Sequence, residues 1–146
     1  MKLAFKKLRD NAVVPKQATP GSAGLDLCAC IDSAVEIPAG EIRLIPTGLT
    51  AQPERCDVAL MIYPRSGLAS KYGIALANCV GVVDSDYRGE ICVPLINHGS
   101  SAFIVEPSMR IAQLVVTPVI LPIIEESDSL SDTERGSNGF GSTGLL

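Results

Sequence analysis

Residues 81–93 have the sequence Gly81-Val82-Val83-Asp84-Ser85-Asp86-Tyr87-Arg88-Gly89-Glu90-Ile91-Cys92-Val93. An apolar run stops here at two carboxylates and an aromatic ring and then resumes. Valine favours strands, whereas aspartate, serine and glycine favour turns, so the segment predicts a β-hairpin with a polar tip. A turn centred on Ser85 would place Asn78 opposite Cys92 across the ladder. On these residues alone, an ordinary surface hairpin with a solvated acidic tip is the simpler interpretation.

The rest of the chain has the composition of a β-protein. Its 146 residues suit one domain with a core, and 47% of them are hydrophobic although only 4% are aromatic. The core must therefore be built from valine, isoleucine, leucine and alanine, which suits strands. Short apolar segments alternate with glycine, proline and asparagine turns. This pattern predicts an all-β fold, a jelly-roll-like barrel or sandwich of short, mostly antiparallel strands with one short helix.

Local signals place the individual elements. The sequence predicts the helix at 66–72 with Gly73 as its C-terminal cap, and the hairpin arms at 74–83 and 91–97. Further strands are predicted at 2–8, 23–30, 42–49 with breaks at Pro46 and Gly48, 58–63, 103–106 and 110–116. From Glu125 onward the chain is rich in serine, glycine and acidic residues. We therefore expect a β-domain over 1–124 and a mobile C-terminal arm over 125–146.

Charge and cysteine content exclude several classes of protein. A formal net charge of -4 without a basic run argues against a nonspecific nucleic-acid binder. The N-terminus lacks the apolar core of a signal peptide, and no long uncharged apolar run predicts a membrane span, so a cytoplasmic location is expected. Five cysteines without a C-x-x-C pair support neither a disulfide framework nor a zinc site. His98, the single histidine, is predicted to lie in a loop.

Four segments carry side chains that suit a phosphate or nucleotide ligand. Arg65, Ser66 and Gly67 stand at the start of the predicted helix, where free N–H groups favour an anion, although a helix cap explains them equally well. Asp26 and Gln113 lie inside apolar strands and need hydrogen-bond partners, so each is either a structural hub or a ligand-binding group. Arg110 beside them is read most simply as the partner of a carboxylate.

The glycine-rich C-terminus is the fourth such segment. Residues 134–144 surround Phe140 with glycines and end in serine and threonine. They could form a nest of N–H donors with Arg135 as a charge partner, although a flexible end is the simpler interpretation.

Taken together, these segments resemble the five motifs of the trimeric deoxyuridine triphosphate nucleotidohydrolases (dUTPases) in order and spacing. The matching segments are 23–27, 64–69, 81–90, 110–114 and 135–144. Two departures are small: Leu25 replaces a frequent tyrosine, and Ser108-Met109 replaces the usual Gly-Asp before the fourth motif. The resemblance covers most of the chain, and the motifs are highly specific as a set.

The resemblance implies Mg²⁺-assisted hydrolysis of dUTP to dUMP and pyrophosphate, which removes dUTP and supplies dUMP for thymidylate synthesis. Asp84 would activate the water that attacks the α-phosphorus, and Gln113 would steady that region. Asp26 would reach the metal through water. Arg65, Ser66 and Gly67 would hold the phosphates, and the Ser66 hydroxyl would lie near the leaving oxygen.

The resemblance also assigns nucleoside recognition to the hairpin and closure to the arm. Backbone groups at Asn78 and from Gly81 through Val82 and Val83 would read uracil, Cys92 would lie close by, and Tyr87 would pack against deoxyribose. In the arm, Arg135 would bind the terminal phosphate, Phe140 would stack over uracil, and Gly141, Ser142 and Thr143 would add donors. Each site would take motifs from three subunits of a homotrimer.

Two alternatives remain at this point. The dCTP deaminases share the fold and the early motifs. They differ in having a Pro-Gly turn after the hairpin aspartate and in lacking the phenylalanine-containing tail. This chain has Ser85-Asp86 and a complete tail, which favours the hydrolase. The second alternative is a binding or regulatory jelly-roll protein that keeps the nucleotide pocket without the chemistry. The retained polar groups in all five motifs argue against that as the sole role.

Overall fold

The computed structural model describes residues 1–139, which form eleven strands and one helix. In chain order the elements are β1 Leu3–Lys7, β2 Leu25–Cys28, β3 Val35–Ile37, β4 Ile42–Pro46, β5 Leu49–Pro53, β6 Val58–Pro64, α1 Ser66–Tyr72, β7 Ile74–Leu76, β8 Gly81–Val83, β9 Cys92–Asn97, β10 Phe103–Val105 and β11 Arg110–Pro118. The predicted all-β class and the position of the helix are confirmed. The region of the predicted strand at 42–49 forms two strands, because Thr47 and Gly48 turn the chain between β4 and β5.

Every strand pair within the described residues is antiparallel. The largest sheet has the order β2-β11-β6-β8, and a second sheet has the order β4-β9-β7. Two-stranded pairs β1-β5 and β3-β10 complete the set. Aliphatic side chains fill the space between these sheets, including Leu27, Leu60, Val93 and Leu114, which are fully buried. This arrangement is the jelly-roll-like sandwich that the composition predicts.

The predicted hairpin at 74–97 is only half correct. Its base forms as β7 pairs with β9, with Ile74 opposite Asn97 and Leu76 opposite Leu95. The chain then leaves this ladder through a turn at Cys79, whose φ is +62°, and β8 pairs with β6 instead. The expected pairing of Asn78 with Cys92 is therefore wrong, since Asn78 lies in the turn and Cys92 pairs with Pro46 of β4.

Helix α1 follows β6 directly and ends as the sequence predicts. Gly73 adopts a left-handed conformation with φ +70° and donates its N–H to the carbonyl of Ala69 at 3.1 Å. Leu68 is the buried residue of the helix and joins the core. The helix start therefore has a fixed position at the end of the largest sheet.

Regular structure ends at Pro118. Val119 still donates its N–H to the carbonyl of Asp57 at 3.0 Å, but residues 119–139 form neither helix nor strand. This segment carries very exposed apolar side chains, among them Ile120 at 92%, Ile123 at 90% and Leu130 at 89%. The division into a domain over 1–124 and an arm over 125–146 stays a prediction. Phe140, Gly141, Ser142 and Thr143 lie outside the described residues.

Candidate functional site

Strand register brings Asp26 and Gln113 together. Gln113 of β11 lies directly opposite Asp26 of β2 on one side and opposite Tyr63 of β6 on the other. Cross-strand partners share a face of the sheet, so the two polar side chains point the same way. Arg65, which directly follows β6, comes to the same end of the sheet. We call Asp26, Arg65, Arg110 and Gln113 the arginine cluster.

The Asp26 carboxylate joins the two arginines of this cluster. Oδ1 accepts from Arg65 Nε at 2.8 Å, and Oδ2 accepts from Arg110 Nη1 at 3.0 Å. Arg65 Nη1 also donates to the Arg110 backbone carbonyl at 3.3 Å. Two guanidinium groups share one carboxylate, so one positive charge is left over. The predicted pairing of Arg110 with a carboxylate is confirmed.

Gln113 is fixed by its neighbours on both sides. Its Nε2 donates to the Pro64 carbonyl at 2.9 Å. A Cβ atom added at Gly24 would overlap its Oε1, so this close approach requires glycine at position 24. The sequence places Gly24 inside a matching motif but gives no sign of this contact. Gly24 is therefore a site residue that the sequence interpretation missed, whereas Arg110 was predicted only as the partner of a carboxylate.

The first turn of α1 lies exposed beside the arginine cluster. Ser66 and Gly67 are both exposed, and a Cβ atom at Gly67 would meet no heavy atom within 4 Å. The backbone N–H groups of a helix start carry partial positive charge. Open space, N–H groups, a hydroxyl and the excess guanidinium charge suit an anionic ligand.

The second half of the hairpin lines a cavity of about 230 Å³. Its walls are Val82, Val83, Asp84, Tyr87, Glu90, Ile91 and Cys92, and we call this space the hairpin cavity. Asp84 is exposed at its edge, and its backbone carbonyl accepts from the Tyr87 N–H at 3.2 Å. Burial, followed by the charge of Glu90, raises the pKa of the Cys92 thiol. This wall of the cavity is therefore neutral.

Tyr87 is held across the end of the hairpin by its hydroxyl. Tyr87 Oη donates to the Glu90 carbonyl at 3.2 Å while the side chain remains 46% exposed. A Cβ atom at Gly89 would overlap this hydroxyl, so only glycine fits beneath the ring. Asn78 lies near the beginning of β8, where its Nδ2 is 3.6 Å from the Cβ position of Gly81.

The arginine cluster and the hairpin cavity lie at opposite ends of β6. Val83 pairs with Leu60, so Asp84 follows at the level of Ala59, whereas Arg65 follows the other end of the strand. Arg65 lies six residue steps along the extended chain from Ala59, a distance of roughly 20 Å at about 3.3 Å per step. Within one chain, the two groups therefore do not form one continuous site.

The remaining predicted groups lie apart from these two. Arg135 is exposed, and its Nε donates to the Asn138 carbonyl at 3.0 Å in a turn of the arm. His98 is an exposed loop residue, as predicted. All five cysteines are free thiols, of which Cys28 and Cys30 are buried whereas Cys56 and Cys79 are exposed. Over residues 1–139, side chains of His, Cys, Asp and Glu form no group of three that could hold a metal ion, and no helix is long and apolar enough to cross a membrane.

Comparisons with known proteins identify the family. The dUTPase family model matches residues 10–144. A deoxyuridine 5'-triphosphate nucleotidohydrolase of Desulfitobacterium hafniense (strain DSM 10664 / DCB-2) is 49% identical over 145 residues, covering 99% of this chain and 96% of the relative.

Solved structures agree with this match. The dUTPase of Staphylococcus bacteriophage 80alpha, solved with dUPNHPP, has a TM-score of 0.87 and 25% identity over 99% of both chains. A dUTPase from phage phi11 of S. aureus, described with a structural Mg(II) ion, has a TM-score of 0.79 and 19% identity, covering 90% of this chain and 100% of its own. On the family match and the identity over nearly its whole length, this chain belongs to the dUTPase family.

Proposed function

We propose that this dUTPase-family chain hydrolyses dUTP to dUMP and pyrophosphate through attack of an Asp84-activated water on the α-phosphorus, assisted by Mg²⁺. The reaction would remove dUTP and supply dUMP for thymidylate synthesis. The observation that carries the proposal is the position of Asp84 at the edge of the hairpin cavity, in a chain whose sequence matches dUTPases over 10–144. A related phage enzyme binds dUPNHPP, which is itself a deoxyuridine nucleotide.

The hairpin cavity is assigned to the nucleoside. Among the described residues, β8 has β6 on one side only, so alternate residues along Gly81, Val82 and Val83 point their N–H and C=O groups away from the sheet. A fixed pattern of such groups pairs with the uracil edge and rejects cytosine, whose amino group reverses one partner. Asn78 is placed near the start of the same strand. The neutral Cys92 thiol adds no charge of its own to the cavity wall, whose carboxyl side chains are those of Asp84 and Glu90.

Tyr87 is assigned to the sugar. Its ring is half exposed at the cavity, and its hydroxyl is engaged with the Glu90 carbonyl. A ring held in this way packs against deoxyribose and leaves no room for a 2′-hydroxyl. Deoxyribonucleotides are thereby preferred over ribonucleotides.

The arginine cluster and the first turn of α1 are assigned to the triphosphate. Arg65 uses its Nε and one Nη1 donor within the cluster, so three of its five N–H donors are left for phosphate oxygens. Ser66 and Gly67 add a hydroxyl and open backbone N–H groups. Developing negative charge on the leaving oxygen is stabilised by such donors. Gln113, held by Pro64 and Gly24, orients the α-phosphate region.

The residues present fit a Mg²⁺ ion held chiefly by the substrate. Mg²⁺ typically keeps several waters and binds through one or two carboxylates together with phosphates. The Asp26 carboxylate accepts one hydrogen bond at each oxygen and retains lone pairs for metal-bound water. When bound, the ion would neutralise phosphate charge. A substrate-assembled ion agrees with the absence of a three-residue ligand group over 1–139.

In the chemical step, the Asp84 carboxylate takes a proton from water as the water oxygen bonds to the α-phosphorus. The bond from that phosphorus to the bridging oxygen breaks, and pyrophosphate leaves. Carboxylates are weak bases, so most of the rate advantage must come from holding the water in line with the leaving group.

A homotrimer with shared sites is proposed because one chain does not unite the two binding regions. Asp84 and Arg65 lie at opposite ends of β6, so a nucleotide that contacts both needs a neighbour's contribution. The exposed Ile120, Ile123 and Leu130 offer apolar surface that association would bury. Arg135 and the fifth motif beyond it would then close the site. A cytoplasmic location, without nucleic-acid or membrane partners, is proposed with this role.

The test is an assay of pyrophosphate release from dUTP, dCTP, dTTP and UTP, with and without Mg²⁺. We expect release from dUTP alone, and only with the metal. Asp84→Asn keeps the shape of the side chain but removes its basicity, so turnover should fall by a factor on the order of 10³ or more while nucleotide binding persists. Asp86→Asn, two residues along the same turn, is the matched control. Full turnover by Asp84→Asn would show that another group activates the water, and ammonia release from dCTP would favour a deaminase.

A further inference from the structure

Glu90 joins the hairpin cavity to the loop between β4 and β5. Glu90 lines the cavity, and its side chain, only 24% exposed, reaches this loop. Oε1 accepts from the Gly48 N–H at 2.8 Å, and Oε2 lies 3.6 Å from Arg9 Nη2. The proposed reaction uses neither of these contacts.

The loop that receives Glu90 is a rigid anchor. Gly48 has φ +67°, and a Cβ atom there would lie 2.6 Å from Cys30 Sγ and 2.8 Å from Ala12 Cβ. Its carbonyl accepts from the Leu8 N–H at 2.8 Å, so neighbouring chain segments surround it closely. Position 48 consequently has little freedom to shift with the hairpin.

Ile91 attaches to the same loop through both its N–H and its carbonyl. Its N–H donates to the Leu49 carbonyl at 2.8 Å, and its carbonyl accepts from Thr47 Oγ1 at 2.6 Å. The backbone of residues 90 and 91 is thus fixed by the loop, with the Glu90 side chain as the contact nearest the turn. Arg9 reinforces this contact, since its Nη1 also donates to the Cys30 carbonyl at 3.2 Å.

On the cavity side, the Glu90 carbonyl accepts the hydroxyl of Tyr87. One residue therefore holds the Gly48 anchor with its side chain and the tyrosine ring with its backbone. The Ile91 N–H, in the same peptide unit as this carbonyl, still donates to Leu49 when the side chain releases Gly48, but the carbonyl then loses the second contact that fixes its position, and the ring is held less firmly. Ring position then becomes variable at the place where the sugar is expected.

We propose that Glu90 is a positioning residue that fixes the Tyr87 ring and so sets the preference for deoxyribose over ribose. The inference deepens the proposed function and rests on its assignment of Tyr87 to the sugar. Glu90 acts through Tyr87 and does not itself contact the reacting atoms.

The test compares kcat and KM for dUTP and UTP in Glu90→Ala and Glu90→Gln. Losing the acceptor for Gly48 should raise KM for dUTP and lower the dUTP-to-UTP ratio of kcat/KM, each about tenfold, with kcat for dUTP little changed. Glu90→Gln retains an oxygen for the Gly48 N–H and loses only the charge toward Arg9. It should keep the ratio within about threefold of the original value.

Two control variants separate positioning from general destabilisation. Glu41→Ala removes an exposed carboxylate that pairs with Arg43 at 3.4 Å, away from the cavity, and should change nothing. Asn97→Ala removes buried hydrogen bonds to the carbonyls of Ile37 and Ser101, each 2.8 Å long. It should lower the melting temperature at least as much as Glu90→Ala but leave the dUTP-to-UTP ratio unchanged.

Tyr87→Ala distinguishes failure of the proposed role of Glu90 from failure of the underlying assignment of Tyr87 to the sugar. If Tyr87→Ala lowers the ratio and Glu90→Ala does not, Glu90 does not position the ring. If the unmodified protein fails to hydrolyse dUTP, or Tyr87→Ala keeps the ratio, the underlying assignment of function fails first. In the double variant, Glu90→Ala should add no further loss of selectivity to Tyr87→Ala, and an additive loss would contradict action through the ring.

Discussion

At the scale of single residues, the absence of a side chain at Gly24 shapes the surroundings of Gln113. Gly24 faces the Gln113 side chain so closely that a Cβ atom would overlap Oε1, while Nε2 is engaged by the Pro64 carbonyl. The Gln113 amide is therefore hydrogen-bonded at Nε2, and its Oε1 occupies space that a methyl group at position 24 would need. A methyl group added just before β2 should therefore move the side chain that we propose to orient the α-phosphate.

Gly24→Ala tests this argument. The added methyl should displace the Gln113 amide and lower kcat/KM for dUTP by about tenfold or more, because misplaced groups lose much of their catalytic effect. Gly21→Ala is the matched control, since a Cβ atom there meets nothing within 4 Å. Steady-state kinetics of both variants give the result, with circular dichroism to verify folding. Equal activity of the two variants would contradict the assigned role of Gln113.

The sequence predicts residue types at the site better than residue contacts. Asp26 and Gln113 stand out because polar side chains inside apolar strands need partners. Their actual partners, Arg65, Arg110 and the Pro64 carbonyl, come from strands far apart in the chain. No local pattern encodes such pairings, so the overlap at Gly24 and the anchor at Gly48 emerge only from the structure.

At the scale of elements, α1 is fixed by the close approach of its C-terminus to the loop after β9. A Cβ atom at Gly73 would lie 2.7 Å from the Gly99 N and 3.1 Å from the His98 carbonyl carbon. The His98 N–H donates to the Gly73 carbonyl at 2.9 Å. Since Ser66 and Gly67 begin the same helix, this contact helps hold the first turn in place.

Gly73→Ala should be strongly destabilising. A left-handed alanine costs about 1–2 kcal/mol, and overlap with backbone atoms adds to this cost. Gly40→Ala isolates the first cost, because Gly40 has φ +78° and open space around its Cβ position. Denaturant unfolding at one protein concentration should show a larger loss of unfolding free energy for Gly73→Ala. Equal losses of unfolding free energy would mean that the loop after β9 accommodates the added methyl group at no further cost.

The prediction of elements succeeded where the signal is local and was wrong where it is not. Helix α1 and its glycine cap follow from spacing and composition, and so do most of the strands. The predicted hairpin was half wrong because apolar alternation predicts β8 as a strand but does not indicate which strand it pairs with. The turn that redirects it depends on a left-handed Cys79, a residue type that gives no such signal.

At the scale of the whole molecule, β6 acts as a spacer between two half-sites. Asp84 and Arg65 belong to the same sheet, yet they extend beyond opposite ends of this strand. The family resemblance implies sites that are shared between subunits, but sequence order alone does not show which motifs lie far apart within one chain. The antiparallel pairing of β8 with β6 shows this separation within one chain, and under the proposed function a neighbouring chain would then be needed for activity.

Mixing two inactive variants tests the shared site. Asp84→Asn and Arg65→Ala chains, each inactive alone, should regain activity when they are unfolded together and refolded as mixed oligomers. If each site takes its hairpin cavity and its arginine cluster from different chains, random assembly at equal amounts restores about one quarter of all sites. Native mass spectrometry verifies mixing, and separately refolded variants are the control. Verified mixed oligomers without recovered activity would place both half-sites on one chain.

The length of β6 has a genetic consequence. A chain with substitutions at both ends of this strand is one subunit of the assembly but would inactivate two sites. One site would lose its hairpin cavity, and another would lose its arginine cluster. Double-mutant chains would therefore inactivate more sites than the number of such chains in the assembly. In a cell that makes both forms, a double mutant allele would behave as dominant-negative, whereas two single mutant alleles would complement each other.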